Sequence, residues 1–166
     1  MKSLLISLIQ SYGLFTIVGI FFLRGLLIGK VIPFTIVIPS YLFIVGSTSL
    51  TDIALLSVFT AFGTTIGQIV LYYESRKRGY EILRSVSFID EESKVISKGI
   101  SLFESRRGES VIIGNLFTSV QGVMAIPAGI NRMNIPVFIT ETYVSIYVSH
   151  VMSSVIIVKG IEFIFL

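Results

Sequence analysis

"GNLFTSVQGVMAIPAGINRMNIPVF", residues 114–138, decides the reading of this chain. The stretch is apolar at Leu116, Phe117, Val123, Met124, Ile126 and Ile130. It is also interrupted by Gly114, Gly122, Pro127, Gly129 and Pro136, and it carries Asn115, Gln121, Asn131 and Arg132. A plain membrane helix avoids the second set, and a plain loop has no use for the first. Irregular backbone survives at membrane depth only where protein buries it or water reaches it. The segment therefore reads as a re-entrant helical hairpin over 111–132, broken at Pro127 and Gly129. A spanning helix follows over 134–158.

Working outward, the same pattern recurs upstream. Residues 26–48 are apolar but contain Pro33, Pro39, Gly46 and Ser47. Each proline removes a backbone donor and disfavours helix just before it. Two half-helices of about ten residues reach only about 15 Å each, so this stretch reads as a first re-entrant hairpin. A spanning helix over 51–73 follows it, with Ser49, Thr51 or Asp52 as its cap. Pro39 precedes Asp52 by thirteen positions, and Pro127 precedes Glu141 by fourteen. Interrupted apolar segments in matching positions point to an inverted repeat of the transporter kind. Coincidence is the competing explanation. Residues 3–23 form a further apolar run after Lys2, without a small-residue cleavage site, and read as a retained spanning helix.

Composition supplies the setting. Of 166 residues, 53% are hydrophobic and 14% charged, and the mean hydropathy is +0.88. A soluble domain needs more charged surface than this. Eight of the 13 Lys/Arg and seven of the 10 Asp/Glu fall within 74–110. That basic loop is expected on the cytoplasmic side of a multi-pass cell-membrane protein. Within it, 90–104 has an amphipathic period, with Ile89, Ile96, Ile100 and Phe103 on one face. It reads as a cytoplasmic amphipathic helix that either lies on the membrane or packs on the protein itself. The hairpins then enter from opposite sides, giving an all-α integral membrane protein in one domain, 1–166.

Several stretches resemble the DedA family of VTT-domain membrane proteins: "IVIPSYLFIVGS", "AFGTTIGQIVLYYESRKRGYEIL" and "LFESRRGESVIIGNLFTSVQGVMAIPAGINRMNIPVFITET". The resemblance covers about residues 26–145. Ala128, Gly129, Met133 and Phe138 fall on the family's Ala-Gly-x-x-x-Met-x-x-x-x-Phe signature, and Gly63, Gly67, Tyr72 and Gly79 on its second glycine motif. It implies two opposed re-entrant hairpins, each with a spanning helix, and movement of polyprenyl phosphate or phospholipid across a bilayer, in some members coupled to protons. The chain departs from the family's charged positions. Tyr41 and Gln68 stand where acids are usual, and Asn115, Thr118 and Gln121 replace the Arg-Phe-x-Pro-x-x-Arg pattern.

The residues limit the chemistry. There is no cysteine and one histidine, His150, so no metal site, cofactor site or nucleophile–base set is expected, and enzymatic activity is not. Arg24, Lys30 and Arg132 are the cations near the hairpins; each can meet a phosphate headgroup or snorkel to the interface. Asn115, Gln121 and Asn131 can donate to a headgroup or cap broken helix ends, and Tyr41 occupies the first hairpin's acidic position. Glu141 reads as an intramembrane ionisable group or as an interfacial carboxylate. Pro39, Pro127 and Gly129 shape the hairpins. The expected function is a transporter or scramblase for an anionic lipid or polyprenyl-phosphate carrier, acting passively. The alternatives are a membrane assembly or partner-binding paralogue, or a proton-coupled exporter of small solutes. The expected partner is membrane lipid and not nucleic acid, with a homo-oligomer left open.

Overall fold

The computed structural model describes residues 13–27, 34–46, 48–82, 90–106, 109–116 and 121–165. Those residues form seven helices: α1 (Leu14–Gly25), α2 (Phe34–Val45), α3 (Leu50–Arg78), α4 (Asp90–Arg106), α5 (Ser110–Leu116), α6 (Ala125–Ile130) and α7 (Ile135–Phe165). There is no strand among them. Both α3 and α7 are long and apolar enough to cross a membrane.

The long helices present apolar side chains outward and polar ones inward. On α3, Leu55, Val58, Phe62 and Val70 are exposed, whereas Ser57, Thr60, Thr64, Thr65 and Gln68 are buried. On α7, Val144, Val148, Met152 and Ile156 are exposed, and Thr142, Ser145, Ser149, His150 and Ser154 are buried. A helix facing water has the reverse arrangement. The buried hydroxyls return to their own helices: Ser57 Oγ donates to the Ile53 carbonyl (2.7 Å) and Thr64 Oγ1 to that of Thr60 (2.9 Å). Such back-bonding hides a hydroxyl where water is absent.

α3 and α7 run antiparallel. Tyr72 stacks on Phe138 with ring centroids 4.8 Å apart. Further along, Thr60 Oγ1 meets His150 Nδ1 at 3.0 Å, and at the far end Lys159 Nζ donates to the Thr48 carbonyl at 3.4 Å. The start of α3 is capped by Ser49, whose hydroxyl oxygen accepts from the Asp52 amide (3.2 Å) and donates to the Asp52 carboxylate. Its last turn carries Arg76, Lys77 and Arg78, the sign favoured at a helix C-terminus. The helix therefore continues five residues beyond the expected end at 73.

Glycine sets the distance between α1 and α3. A Cβ on Gly63 would lie 2.6 Å from the Val18 carbonyl oxygen, and one on Gly67 2.3 Å from that of Phe22. The ascending pairs 18–63 and 22–67 show that α1 runs parallel to α3. α2 returns alongside: Val37, Ile38 and Leu42 share an apolar cluster with Ile17, Phe21, Ile53 and Leu56, and Val45 reaches a cavity that Leu14 also lines. The expected interruption at Pro39 is not found, because Pro39 lies inside α2. Proline costs a helix one donor and some bending; here the residue is also buried by its neighbours. The remainder of the expected 3–23 helix, and Lys30 and Pro33, lie outside the described residues.

The second half repeats the order of two short helices and a long one. Gly129 of α6 sits against the Tyr72 carbonyl, 2.4 Å from a notional Cβ, with Ser75 and Arg76 beside it, so α6 lies along the last turns of α3. Asn131 and Arg132 end α6: the Met133 amide donates to the Ala128 carbonyl (2.9 Å) and Arg132 takes a left-handed φ of 52°. That is a helix-terminating turn usually given to glycine. The Tyr72 hydroxyl donates to the Met133 carbonyl at 2.5 Å, tying this turn to α3. Phe103 of α4 is buried, and Ile100 and Leu102 pack against the cluster that contains Val111, Ile126 and Phe138. The described part of the amphipathic helix thus packs on the protein itself; Ile89 and the Ile96 side chain lie outside the described residues.

Candidate functional site

Two hydrogen-bonded pairs of buried polar side chains meet where the first and second halves of the chain touch. Arg24, in the last turn of α1, donates from Nη2 to Gln121 Oε1 at 3.1 Å. Gln68, in the middle of α3, donates from Nε2 to Asn115 Oδ1 on α5 at 3.2 Å. The relative exposures are 8% for Arg24, 3% for Gln121 and 0% for both Gln68 and Asn115. The backbone places the pairs at one level. Gly25, next to Arg24, packs on Thr64, Gly67 and the Gln68 amide nitrogen. Gly122, next to Gln121, has a φ of 92° and faces the Leu27 side chain and the Arg24 carbonyl oxygen. At Gly122 it is the positive φ that calls for glycine.

The site contains more hydrogen-bonding capacity than it uses internally. Among the described residues, Gln68 Oε1, Asn115 Nδ2 and Gln121 Nε2 are buried without a hydrogen-bond partner, as are Thr65 Oγ1 and Thr142 Oγ1 on the facing sides of α3 and α7. Leaving such a group bare costs about 1–3 kcal/mol. Several together in one place are uncommon in a settled core. What they offer is two amide NH2 groups and an amide oxygen, on residues whose neighbouring backbone packs at the level of Gly25 and Gly67. In its contact with Gln121 the Arg24 guanidinium donates to a neutral amide.

One turn before Arg24, the Phe21 ring meets His150 edge-on at a centroid distance of 5.0 Å. His150 in turn bonds Thr60, whose hydroxyl also donates to the Ser57 carbonyl at 3.2 Å. The imidazole tautomer sets which of Thr60 Oγ1 and His150 Nδ1 donates. His150 thereby joins α7 to α3 beside the cluster.

Of the residues singled out in the sequence, Arg24, Asn115 and Gln121 come together here. Lys30 lies outside the described residues. Tyr41 is half-buried on the cavity shared by α1, α2 and α3, toward Asp52. Asn131 donates from Nδ2 to the Pro127 carbonyl at 2.9 Å, which is end-capping. Arg132 is exposed. Glu141 is half-buried on α7, with its Oε2 lacking a partner among the described residues. Pro127 and Gly129 are buried inside α6, so the break expected at them is not found; Pro127 sits in the helix's first turn, where a missing amide donor costs little, and the helix ends at Asn131. Gln68 is a member of the cluster that the sequence reading does not single out for binding, although the sequence carries a signal for it. Ser57, Thr60, Thr64, Thr65 and Gln68 recur at helical spacing on one side of an apolar helix, which marks an inward polar face. No group of three or more His, Asp or Glu that could hold a metal is found among the described residues. Comparison with known proteins gives no similar family model, curated protein or solved structure.

Proposed function

We propose that this chain is a multi-pass cell-membrane protein that moves an anionic lipid, of the phospholipid or polyprenyl-phosphate kind, across the bilayer without proton coupling. The observation that carries the reading is the buried Arg24–Gln121 and Gln68–Asn115 cluster inside a helical bundle with an apolar exterior. A headgroup is kept out of hydrocarbon by the loss of its hydrogen bonds. Donors held at mid-depth replace those bonds and lower the barrier, while the acyl tails stay outside among the exposed apolar side chains. In this reading α1–α2 and α5–α6 are two re-entrant hairpins that meet tip to tip, and α3 and α7 are the spanning helices of an inverted repeat. The antiparallel course of α3 and α7 supports that arrangement. The basic segment after α3 is assigned to the cytoplasmic side. The resemblance of 26–145 to the DedA family agrees with it.

The movement is taken as passive because an arginine and three amides do not change protonation near neutral pH. A second reading, a membrane assembly role without transport, is favoured by one feature: the four side chains already satisfy each other in part, as a structural joint would. Flux of a fluorescent anionic phospholipid in liposomes separates the two. Transport predicts that wild type exchanges the lipid between leaflets faster than protein-free liposomes and that Arg24→Gln, which keeps an amide partner for Gln121, slows it about tenfold. Wild-type flux equal to that of empty liposomes would exclude transport.

A further inference from the structure

The hydroxyls and amides left without a partner in the core narrow the ligand further, an inference that rests on the anionic-lipid reading above. Several buried hydroxyls of the long helices bond back to their own backbone: Ser57 to Ile53, Thr64 to Thr60, Ser75 to Leu71 and Ser145 to Glu141. Thr65 and Thr142 do not. Among the described residues their Oγ1 atoms are buried without a partner, as are Gln68 Oε1, Asn115 Nδ2 and Gln121 Nε2. All five residues are more than nine-tenths buried. The helices bring them to neighbouring levels. Gln68 and Asn115 touch through their hydrogen bond, and Thr65 precedes Gln68 by about one turn on the buried side of α3. Tyr72 faces Phe138, and Thr60 faces His150 twelve positions away along each helix. Four positions from the first of these pairs, the same antiparallel register sets Thr142 at the level of Gln68. Gln121 comes to this region through Arg24, whose neighbour Gly25 packs on the Gln68 amide nitrogen.

Chemistry fixes what these groups ask for. An arginine only donates, so Gln121 turns its oxygen to Arg24 and its NH2 away. Gln68 and Asn115 make one bond between them; turning both amides over exchanges the donor and the acceptor and again leaves one of each unmet. The unmet set is therefore two amide donors, one amide acceptor and two hydroxyls that can do both, and no member of it is charged. Its complement is a group that donates and accepts at the same atom, which is a hydroxyl. A trimethylammonium or alkyl headgroup does neither, and an ammonium only donates, so each leaves buried amides bare. We infer that the cluster recognises hydroxyls beyond the phosphate and so selects a lipid with a polyol headgroup, of the glycerol or sugar kind, over lipids ending in choline or an alkyl group.

The test is calorimetric titration of the full chain, in nanodiscs of phosphatidylcholine, with short-chain phosphatidylglycerol and short-chain phosphatidylpropanol. The two probes carry the same charge and differ only in the hydroxyls of the headgroup. A site built to hydrogen-bond hydroxyls is left with unpaired groups by a ligand that lacks them, so the wild type should bind phosphatidylglycerol about tenfold more tightly. Thr65→Val with Thr142→Val removes two of the unmet groups at similar volume and should shrink that preference to about threefold or less. A merely structural role for the hydroxyls would move the melting temperature and leave the preference unchanged, and an unchanged preference would overturn the inference. Free glycerol is the third probe: weak competition supports a polyol carried on a lipid, and competition at the concentration of the lipid itself would overturn the lipid-borne form. Equal binding of the two lipids by the wild type, as when the set holds only internal water, would overturn the inference and leave the anionic-lipid reading intact. Binding of neither lipid would overturn both.

Discussion

Replacing Gly67 with alanine should loosen the first half of the protein and disarm the cluster at the same time. The added Cβ would lie 2.3 Å from the Phe22 carbonyl oxygen, 2.8 Å from Gly25 Cα and 2.9 Å from the Gly25 carbonyl carbon. All three are backbone atoms, so no side chain can rotate away. An ordinary contact needs about 3.5 Å, so α1 must retreat by about 1 Å. Overpacking of this kind costs about 1–3 kcal/mol, which for a chain of this size corresponds to a fall of roughly 4–8 °C in melting temperature if about 2 kcal/mol is lost. The same retreat carries Arg24, the neighbour of Gly25, away from Gln121, and a 3.1 Å hydrogen bond does not survive a further ångström. Gly19→Ala is the control: a Cβ there meets nothing within 4 Å, and inside a helix alanine is better than glycine by about 1 kcal/mol. Thermal unfolding in detergent, followed by circular dichroism, should rank Gly19→Ala at or above wild type and Gly67→Ala well below both. If Gly67→Ala melts with Gly19→Ala, α1 and α3 do not cross at these glycines.

Arg132 occupies a left-handed φ of 52° that glycine adopts freely, so Arg132→Gly should stabilise the protein by about 1 kcal/mol; a lower melting temperature would mean that the side chain makes a contact that matters more than the strain. Tyr72→Phe keeps the stack on Phe138 but removes the hydroxyl that donates to the Met133 carbonyl, and should cost about 1 kcal/mol, read as a lowered melting temperature; no change would show the bond to be dispensable. Asn115→Leu leaves the Gln68 amide buried without its acceptor and should destabilise by about 1–3 kcal/mol, whereas Gln68→Leu with Asn115→Leu, removing both partners, should recover most of that stability. The double variant should nonetheless lose lipid flux, since its stability no longer depends on the amides but the headgroup does; retained flux would show that this pair is structural only.

How much of this was legible beforehand differs from residue to residue. Helices α3 and α7 follow from apolar runs of sufficient length, and the cap at Ser49 was among those expected. The pair Gly63 and Gly67 is visible as a motif, but its partner is not: nothing in the sequence says that α1, and not another helix, contributes the Val18 and Phe22 carbonyls. Pro39 illustrates the limit of local rules. A proline disfavours helix by its own sterics, yet tertiary burial keeps α2 continuous through it. The polar cluster was half legible. Arg24, Asn115 and Gln121 stand out as polar residues in apolar surroundings, but Arg24 and Gln121 are 97 positions apart, and only the folded chain joins them. Arg132 and Asn131 stand out equally, because a sequence does not distinguish an end-capping amide or an exposed cation from a buried donor.

The central claim is that a lipid headgroup reaches the buried cluster, and the most direct measurement is where such a headgroup can be caught. A phosphatidylglycerol analogue carrying a photoreactive diazirine on its headgroup would be incorporated into liposomes with the wild-type chain, irradiated, and its adducts mapped by mass spectrometry. The account predicts adducts on the peptides around Arg24, Gln68 and Gln121, reduced by Arg24→Gln and competed by unlabelled phosphatidylglycerol. Adducts confined to the ends of α3 and α7 and to the basic segment at Arg76, Lys77 and Arg78, with none at the cluster, would contradict it.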